Sequence, residues 1–172
     1  MTHKWNYQPI TPEQAETSQT LAQELGISPI LGQLLVQRGI TKAADAKKFF
    51  RPQLPDLHDP FLMKDMEKAV ERVERAVANQ EKIMVYGDYD VDGCTAVALV
   101  YKFLRQIGHK NLMFYIPDRY TEGYGISVKG IDLAARKGVG LIIALDCGIK
   151  ATEKVVYAKT KGVDFIICDH HL

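Results

Sequence analysis

Three short stretches of the sequence combine carboxylate and imidazole side chains in a pattern suited to metal chemistry. They are Gly87-Asp88-Tyr89-Asp90-Val91-Asp92-Gly93, Asp146-Cys147-Gly148 and Asp169-His170-His171. Each follows a short apolar run that predicts a buried strand. Carboxylates that converge on one place repel each other unless they are protonated or bind cations. Because imidazole joins them here, the set suits divalent transition metals, manganese especially, better than calcium.

Two alternatives compete with a metal cluster. The first motif matches the opening of an EF-hand calcium loop, but its twelfth position is Leu99, where that loop needs a bidentate glutamate, and a strand precedes it. The second alternative is turn chemistry, since Asp and Gly cluster in loops after strands for conformational reasons alone. That alternative stays open for any single motif. The recurrence of acidic motifs at successive strand ends, with two adjacent histidines, favours a metal cluster.

Two further candidates follow another apolar run, within Pro117-Asp118-Arg119 and Glu122-Gly123-Tyr124-Gly125. The Arg119 guanidinium could hold a phosphate in bidentate fashion. The Tyr124 ring could stack on a base or a sugar. A surface ion pair for Arg119 and a turn aromatic for Tyr124 are the alternatives. We therefore treat both as candidate substrate-binding residues.

The elements that must position these residues follow from the hydrophobic periodicity. After residue 62, strands are predicted over 83–86, 112–116, 141–145 and 164–168, and helices over 65–79, 95–107, 127–137 and 152–160. This alternation predicts an α/β domain with a doubly wound, mostly parallel sheet. Right-handed crossovers then place the carboxyl ends of all the strands, and with them the acidic motifs, on one edge.

The residues before position 63 show short helical patterns without intervening strands. Helices are predicted over 11–25, 28–38 and 41–50, with Gly26 and Gly39 as favourable ends. The prolines between 51 and 60 then indicate an extended connector. We therefore expect a small helical arm with its connector over 1–62 and an α/β domain over 63–172, truncated at its carboxyl end.

The composition limits the class of protein. An apolar share of 47% and a charged share of 25% are typical of globular domains. No apolar run approaches the roughly 20 residues that span a bilayer, and no secretory signal is evident, so we expect a cytoplasmic protein. The three cysteines have no CxxC spacing and are expected to be buried packing residues. A net charge of +1 gives no whole-chain attraction for a polyanion.

In their order, the three acidic motifs resemble the first three motifs of the DHH phosphoesterases. Four further stretches resemble the branch of that family that contains the RecJ exonucleases. They are Gln37-Arg38-Gly39-Ile40, Leu57-His58-Asp59-Pro60, Tyr115-Ile116-Pro117-Asp118-Arg119 and Glu122-Gly123-Tyr124-Gly125. The resemblance covers nearly the whole chain, including the amino-terminal arm. Inorganic pyrophosphatases and small-oligonucleotide phosphodiesterases share the metal motifs but not that arm.

The resemblance implies roles for individual residues. Asp90 would bind one ion, Asp92 and His170 the second, and Asp146 would bridge both. His171 would hydrogen-bond the reacting phosphate, which makes His171 and Asp146 the catalytic candidates. Asp88 and Asp169 are expected to orient these groups without binding an ion. Several DHH enzymes have a histidine ligand at the position that Tyr86 occupies here, which puts the first ion's coordination in doubt.

The activity implied is hydrolysis of single-stranded DNA from the 5′ end, in DNA repair and recombination, with two Mn²⁺ or Mg²⁺ ions. The implied partners are single-stranded DNA, a single-strand-binding protein and a helicase. A hydrolase of small phosphates or short oligonucleotides is one alternative, and a non-catalytic, replication-associated binding module is another. DHH enzymes supply a further metal-binding aspartate and a second domain downstream, so we expect this chain alone to be poorly active or inactive.

Overall fold

The computed structural model describes Lys4 and residues 9–171 and divides the chain into two compact units, Met1–Leu62 and Met63–Leu172. The first unit contains the α-helices α1 (Pro12–Leu25), α2 (Pro29–Gln37) and α3 (Ala43–Phe50). Thr11 and Ser28 cap α1 and α2, because each hydroxyl accepts a hydrogen bond from a backbone N–H in the first turn. Two short 3₁₀ helices, Leu54–Asp56 and Pro60–Leu62, lie where an extended connector was predicted.

The second unit is a four-stranded parallel sheet with helices between the strands. Its elements are α4 (Met66–Ala78), β1 (Lys82–Gly87), α5 (Val91–Gln106), β2 (Leu112–Tyr115), α6 (Val128–Arg136), β3 (Val139–Leu145), α7 (Thr152–Thr160) and β4 (Asp164–Cys168). The strand order is β2-β1-β3-β4, and each neighbouring pair is parallel. The carboxyl ends of the strands therefore share one edge.

The sheet buries both of its faces, as alternating residues of β1 show. Ile83 and Val85 belong to a core cluster with Ala76 of α4 and Val97 of α5. The intervening residues Met84 and Tyr86 belong to a second cluster, on the face covered by α6 and α7. The predicted α/β, doubly wound parallel sheet is thus confirmed. No helix within the described residues is long and apolar enough to cross a membrane.

Two predictions require correction. Helix α5 begins at Val91 instead of residue 95 because Asp90 caps it, so Asp92 and Gly93 lie in its first turn and not in a loop. The second correction concerns the cysteines. Cys147 is buried as predicted, but Cys94 and Cys168 are exposed, so the packing interpretation holds for only one of the three.

Candidate metal centre

The strand register brings three acidic residues side by side. Gly87 of β1 is paired with Leu145 of β3, and Leu145 is paired with Cys168 of β4. The next residue along each strand is an aspartate: Asp88, Asp146 or Asp169, respectively. The convergence predicted from motif order therefore follows directly from the pairing of the strands.

Asp146 occupies the centre of this edge in an unusual backbone conformation. Its φ is 59°, in the left-handed region that costs a non-glycine residue about 1–3 kcal/mol. Its backbone N–H donates to the Cys168 carbonyl oxygen at 2.8 Å. Its Oδ1 lies 3.1 Å from Nε2 of His170. Backbone strain of this kind persists where surrounding structure enforces it, often at functional sites.

Asp146, His170 and His171 form a ligand group. Each offers one nitrogen or oxygen atom, and among the described residues these atoms all lie within 4.8 Å of one another. One carboxylate and two imidazoles are a donor set suited to Mn²⁺ and similar ions. His170 was predicted as a ligand, whereas His171 was predicted to contact the phosphate. In the structure a nitrogen of each histidine is close enough to Asp146 for both to contact one ion.

Asp169 orients the ring of His171. Its Oδ1 lies 2.6 Å from His171 Nδ1, and its Oδ2 accepts the backbone N–H of Ile149 at 2.9 Å. Burial raises the pKa of Asp169, but the hydrogen bonds from Ile149 and His171 outweigh it and hold the pKa below its ordinary value. The hydrogen bond to Asp169 in turn raises the pKa of His171. With Nδ1 turned toward Asp169, Nε2 of His171 is the nitrogen available to an ion or a phosphate.

Asp88 lies at the same edge and has a carboxylate oxygen that no group in the described part of the chain satisfies. It is 1% exposed, and its Oδ1 has no hydrogen-bond partner among the described residues. Burial raises the pKa of Asp88, the backbone N–H groups of Tyr89 and Gly125 offset part of that rise, and the negative charges of Asp90 and Asp146 add to it. A buried carboxylate oxygen without a donor is costly. A divalent cation would neutralise this cluster, so the residues present fit a metal ion.

Asp90 and Asp92 are positioned by the start of helix α5. Asp90 Oδ1 accepts the backbone N–H of Gly93 at 3.0 Å, and both aspartates are exposed. Glycine is required at position 93 because a Cβ there would lie 2.5 Å from the Asp88 carbonyl oxygen. Neither aspartate belongs to the ligand group around Asp146. Their assignment as metal ligands stays a prediction.

The two candidate substrate-binding residues lie along a row of aromatic rings. The Arg119 guanidinium carbon lies 5.1 Å from the centroid of the Tyr89 ring. The Tyr89 ring makes an edge contact with Tyr124 at 6.4 Å, and Tyr124 makes one with His171 at 5.9 Å. Arg119 and Tyr124 therefore belong to the same surface as the ligand group. Tyr89 was not predicted to have a role.

A hydrogen-bonded network that was not predicted holds residues 118–127, here called the Tyr124 loop. Glu122 accepts hydrogen bonds from the hydroxyls of Tyr115 and Ser127, both at 2.6 Å. The buried Tyr86 hydroxyl donates to the Gly125 carbonyl oxygen at 2.9 Å and accepts the Ser127 backbone N–H at 3.0 Å. Burial raises the pKa of Tyr86 to about 12. Tyr86 thus supports the Tyr124 loop and does not replace a histidine ligand. The sequence did carry a signal for this network, because a tyrosine in a buried strand needs a hydrogen-bond partner for its hydroxyl.

Comparison with known proteins gives a consistent result. The model of the DHH family, N-terminal domain, matches residues 82–172. The chain is 40% identical over 168 residues to the single-stranded-DNA-specific exonuclease RecJ of Bacillus subtilis, covering 98% of this chain and 21% of that protein. It is 32% identical over 165 residues to the exonuclease of the same name from Escherichia coli, covering 96% of this chain and 28% of that protein. The chain therefore spans less than a third of these relatives.

Two solved structures resemble the chain. A crystal structure of exonuclease RecJ bound to manganese matches 64% of this chain and 28% of that one, with a TM-score of 0.59 and 31% identity. A structure of RecJ in complex with Mn²⁺ from Thermus thermophilus matches 91% of this chain and 21% of that one, with a TM-score of 0.66 and 24% identity. The second likeness concerns the fold alone.

Proposed function

The chain belongs to the DHH family, and we propose that it supplies the metal site of an exonuclease that degrades single-stranded DNA from the 5′ end in DNA repair and recombination. The observation that carries the proposal is the ligand group of Asp146, His170 and His171, beside the unpartnered buried oxygen of Asp88. The 40% identity to a protein named as a single-stranded-DNA-specific exonuclease supports the substrate. Two relatives of known structure hold manganese.

The catalytic residues divide into ligands and substrate contacts. Asp146 and His170 would hold Mn²⁺ or Mg²⁺, with Asp90 and Asp92 as the proposed ligands that complete two ion sites. When bound, such ions supply Lewis-acid activation of water and of the phosphoryl group. His171, fixed by Asp169 at 2.6 Å, would hydrogen-bond the reacting phosphate or assist as a ligand. Asp88 is not proposed as a ligand; its buried negative charge would be offset by the neighbouring ions and would favour their binding.

Arg119 and Tyr124 are the proposed contacts to DNA. Arg119 is exposed and lies over the Tyr89 ring, so its guanidinium edge is available to a phosphate. Tyr124 is 53% exposed and can present its ring to a base or a sugar. A single-strand-binding protein and a helicase are the proposed protein partners, and the cytoplasm the proposed location. We further propose that the 172-residue chain alone is a poor nuclease, since its net charge of +1 offers little attraction for phosphate.

A substrate panel tests the proposal. The full-length protein is incubated with 5′-labelled single-stranded DNA, duplex DNA, a dinucleotide and pyrophosphate, with Mn²⁺ or with a chelator. Metal-dependent release of nucleotides from single-stranded DNA is expected, with at least about a hundredfold loss in Asp146→Asn. Asp132→Asn is the matched control, since Asp132 lies on α6 and accepts a hydrogen bond from Tyr157. Preferred hydrolysis of pyrophosphate or the dinucleotide, or no metal-dependent hydrolysis, would contradict the proposal.

A further inference from the structure

The Tyr124 hydroxyl contacts the backbone of the residue at the centre of the metal site. It lies 3.3 Å from the Asp146 carbonyl oxygen, to which it donates a hydrogen bond. The same hydroxyl lies 3.3 Å from His171 Nδ1. Because that nitrogen is turned to Asp169 at 2.6 Å, it carries the proton of that hydrogen bond. The other ring nitrogen, Nε2, lies 3.5 Å from the hydroxyl, so the Asp146 carbonyl oxygen at 3.3 Å is the nearer free acceptor for the Tyr124 proton.

Asp146 needs such support because its φ of 59° places it in the left-handed region. The backbone conformation of this residue sets the direction of its carboxylate, which contacts His170 at 3.1 Å. Its N–H is already fixed by the Cys168 carbonyl at 2.8 Å. The hydrogen bond from Tyr124 fixes the carbonyl on the other side of the same residue.

Tyr124 is itself held in place by anchors on other elements. The buried hydroxyl of Tyr86, on β1, bonds the backbone of Gly125 and Ser127, on either side of Ile126. Lys154 of α7 donates from Nζ to the Ile126 carbonyl oxygen. The loop that carries Tyr124 is thus tied by buried or half-buried groups to the sheet and to α7.

We infer that Tyr124 is a positioning residue for the metal site, whose hydroxyl holds Asp146 in its ligand conformation, and that Tyr86 acts through Tyr124. This role differs from the base stacking proposed above, because stacking uses the ring and positioning uses the hydroxyl. The inference deepens the proposed function and rests on it for the identity of the reaction. Loss of a residue that orients a metal ligand typically weakens metal binding or activity by about 10–100-fold. A separation of 3.3 Å is long for an O–H···O bond, so the lower end is expected.

The test separates the hydroxyl from the ring. Tyr124→Phe removes only the hydroxyl, and Tyr124→Ala removes both. The Mn²⁺ dissociation constant is measured by titration calorimetry, and kcat and KM are measured on a single-stranded oligonucleotide. In the full-length protein, Tyr124→Phe should raise the dissociation constant and lower kcat by about tenfold each, with KM unchanged. Wild-type metal affinity and kcat in Tyr124→Phe would overturn the inference and leave stacking as the only role.

The part played by Tyr86 is tested by a double-mutant cycle. If Tyr86 acts through Tyr124, Tyr86→Phe should weaken Mn²⁺ binding, and the double variant Tyr86→Phe/Tyr124→Phe should bind no worse than Tyr124→Phe. Tyr157→Phe, which loses a 2.7 Å bond to Asp132 on another surface, is the matched control and should keep wild-type affinity. Additive losses, or equal losses in the control, would overturn this part.

The readouts also separate this inference from the proposed function. Weaker Mn²⁺ binding in Tyr124→Phe, in a protein that does not cleave single-stranded DNA, would support the positioning role while the proposed function fails. If the wild-type protein cleaves single-stranded DNA but Tyr124→Phe keeps wild-type metal affinity, the proposed function is supported and the positioning role fails. Because Tyr124 is 53% exposed, its replacement by phenylalanine is expected to leave the fold intact, even where Tyr86→Phe is unstable.

Discussion

Replacing Glu122 by glutamine is expected to destabilise the protein because Glu122 is a buried carboxylate surrounded by donors. Its side chain is 5% exposed. One carboxylate oxygen accepts the hydroxyls of Tyr115 and Ser127, both at 2.6 Å, and the other accepts the Asp118 backbone N–H at 3.1 Å. In glutamine one of these oxygens becomes an NH₂ group, which cannot accept. At least one donor therefore loses its partner.

The magnitude follows from these contacts. A hydrogen bond to a charged group contributes about 1.5–3 kcal/mol, and a buried group without a partner costs about 1–3 kcal/mol. The Lys129 ammonium at 3.5 Å adds little because its side chain is 66% exposed. We expect Glu122→Gln to lower the free energy of unfolding by about 2–4 kcal/mol. For a chain of this length, that corresponds to a fall in Tm of roughly 4–16 °C.

The loss should depend on pH. Burial raises the pKa of Glu122, but the hydrogen bonds from Ser127 and Tyr115 outweigh it and hold the pKa below its ordinary value of 4.5. A carboxyl group with a lowered pKa in the folded state stabilises the protein above its unfolded pKa, and this contribution disappears as the pH falls through the folded pKa. The difference between wild type and Glu122→Gln should therefore be full at neutral pH and shrink in acid below the ordinary value.

Urea unfolding followed by circular dichroism, from neutral to acid pH, measures both effects. Glu153→Gln is the matched control, since Glu153 is exposed on α7, and it should change the free energy of unfolding by no more than about 0.5 kcal/mol. Equal losses in Glu122→Gln and the control, or a loss that does not change with pH, would refute the reasoning about the Glu122 network.

Three further predictions concern single residues. His109 is 1% exposed and neither ring nitrogen has a hydrogen-bond partner among the described residues, so His109→Leu should raise the free energy of unfolding in urea by about 1–2 kcal/mol; a loss of stability would mean that the ring has a role in packing. A Cβ at Gly93 would lie 2.6 Å from the Asp88 backbone nitrogen, so Gly93→Ala should cost about 3 kcal/mol, measured as a lower Tm; an unchanged Tm would contradict the close approach. Asp146→Ala should weaken Mn²⁺ binding in calorimetry at least about tenfold more than Asp88→Ala, and equal effects would mean that the two carboxylates serve the ion alike.

Much of the fold followed from the sequence because its signals are local and repeated. Short apolar strands between amphipathic helices predicted a parallel sheet, and the order of the motifs placed Asp88, Asp146 and Asp169 on one edge. The start of α5 was missed because Val91-Asp92-Gly93 resembles a loop composition. The helix begins at Val91 because the Asp90 carboxylate accepts a hydrogen bond from the Gly93 backbone N–H at 3.0 Å.

The candidate site was less predictable in its details than in its location. The roles of the adjacent His170 and His171 depend on how each ring is oriented, which spacing in the sequence does not reveal. Asp169 contacts the His171 ring at 2.6 Å, whereas Asp146 contacts the His170 ring at 3.1 Å. The support from Tyr86 to the Tyr124 loop joins residues 39 and 41 positions apart in the chain. Contacts of that separation depend on the packing of α6 and α7 against the sheet. Periodicity describes each element by itself and carries no information about such contacts.

The location of manganese in the folded protein tests the central claim most directly. Crystals of the full-length protein grown with MnCl₂ would be measured at the manganese absorption edge, and an anomalous difference map would locate each ion. We predict a peak bonded to the Asp146 carboxylate and to an imidazole of His170 or His171, at the carboxyl edge of the sheet. A peak elsewhere, or none at this edge at a manganese concentration that supports hydrolysis of single-stranded DNA, would contradict the account.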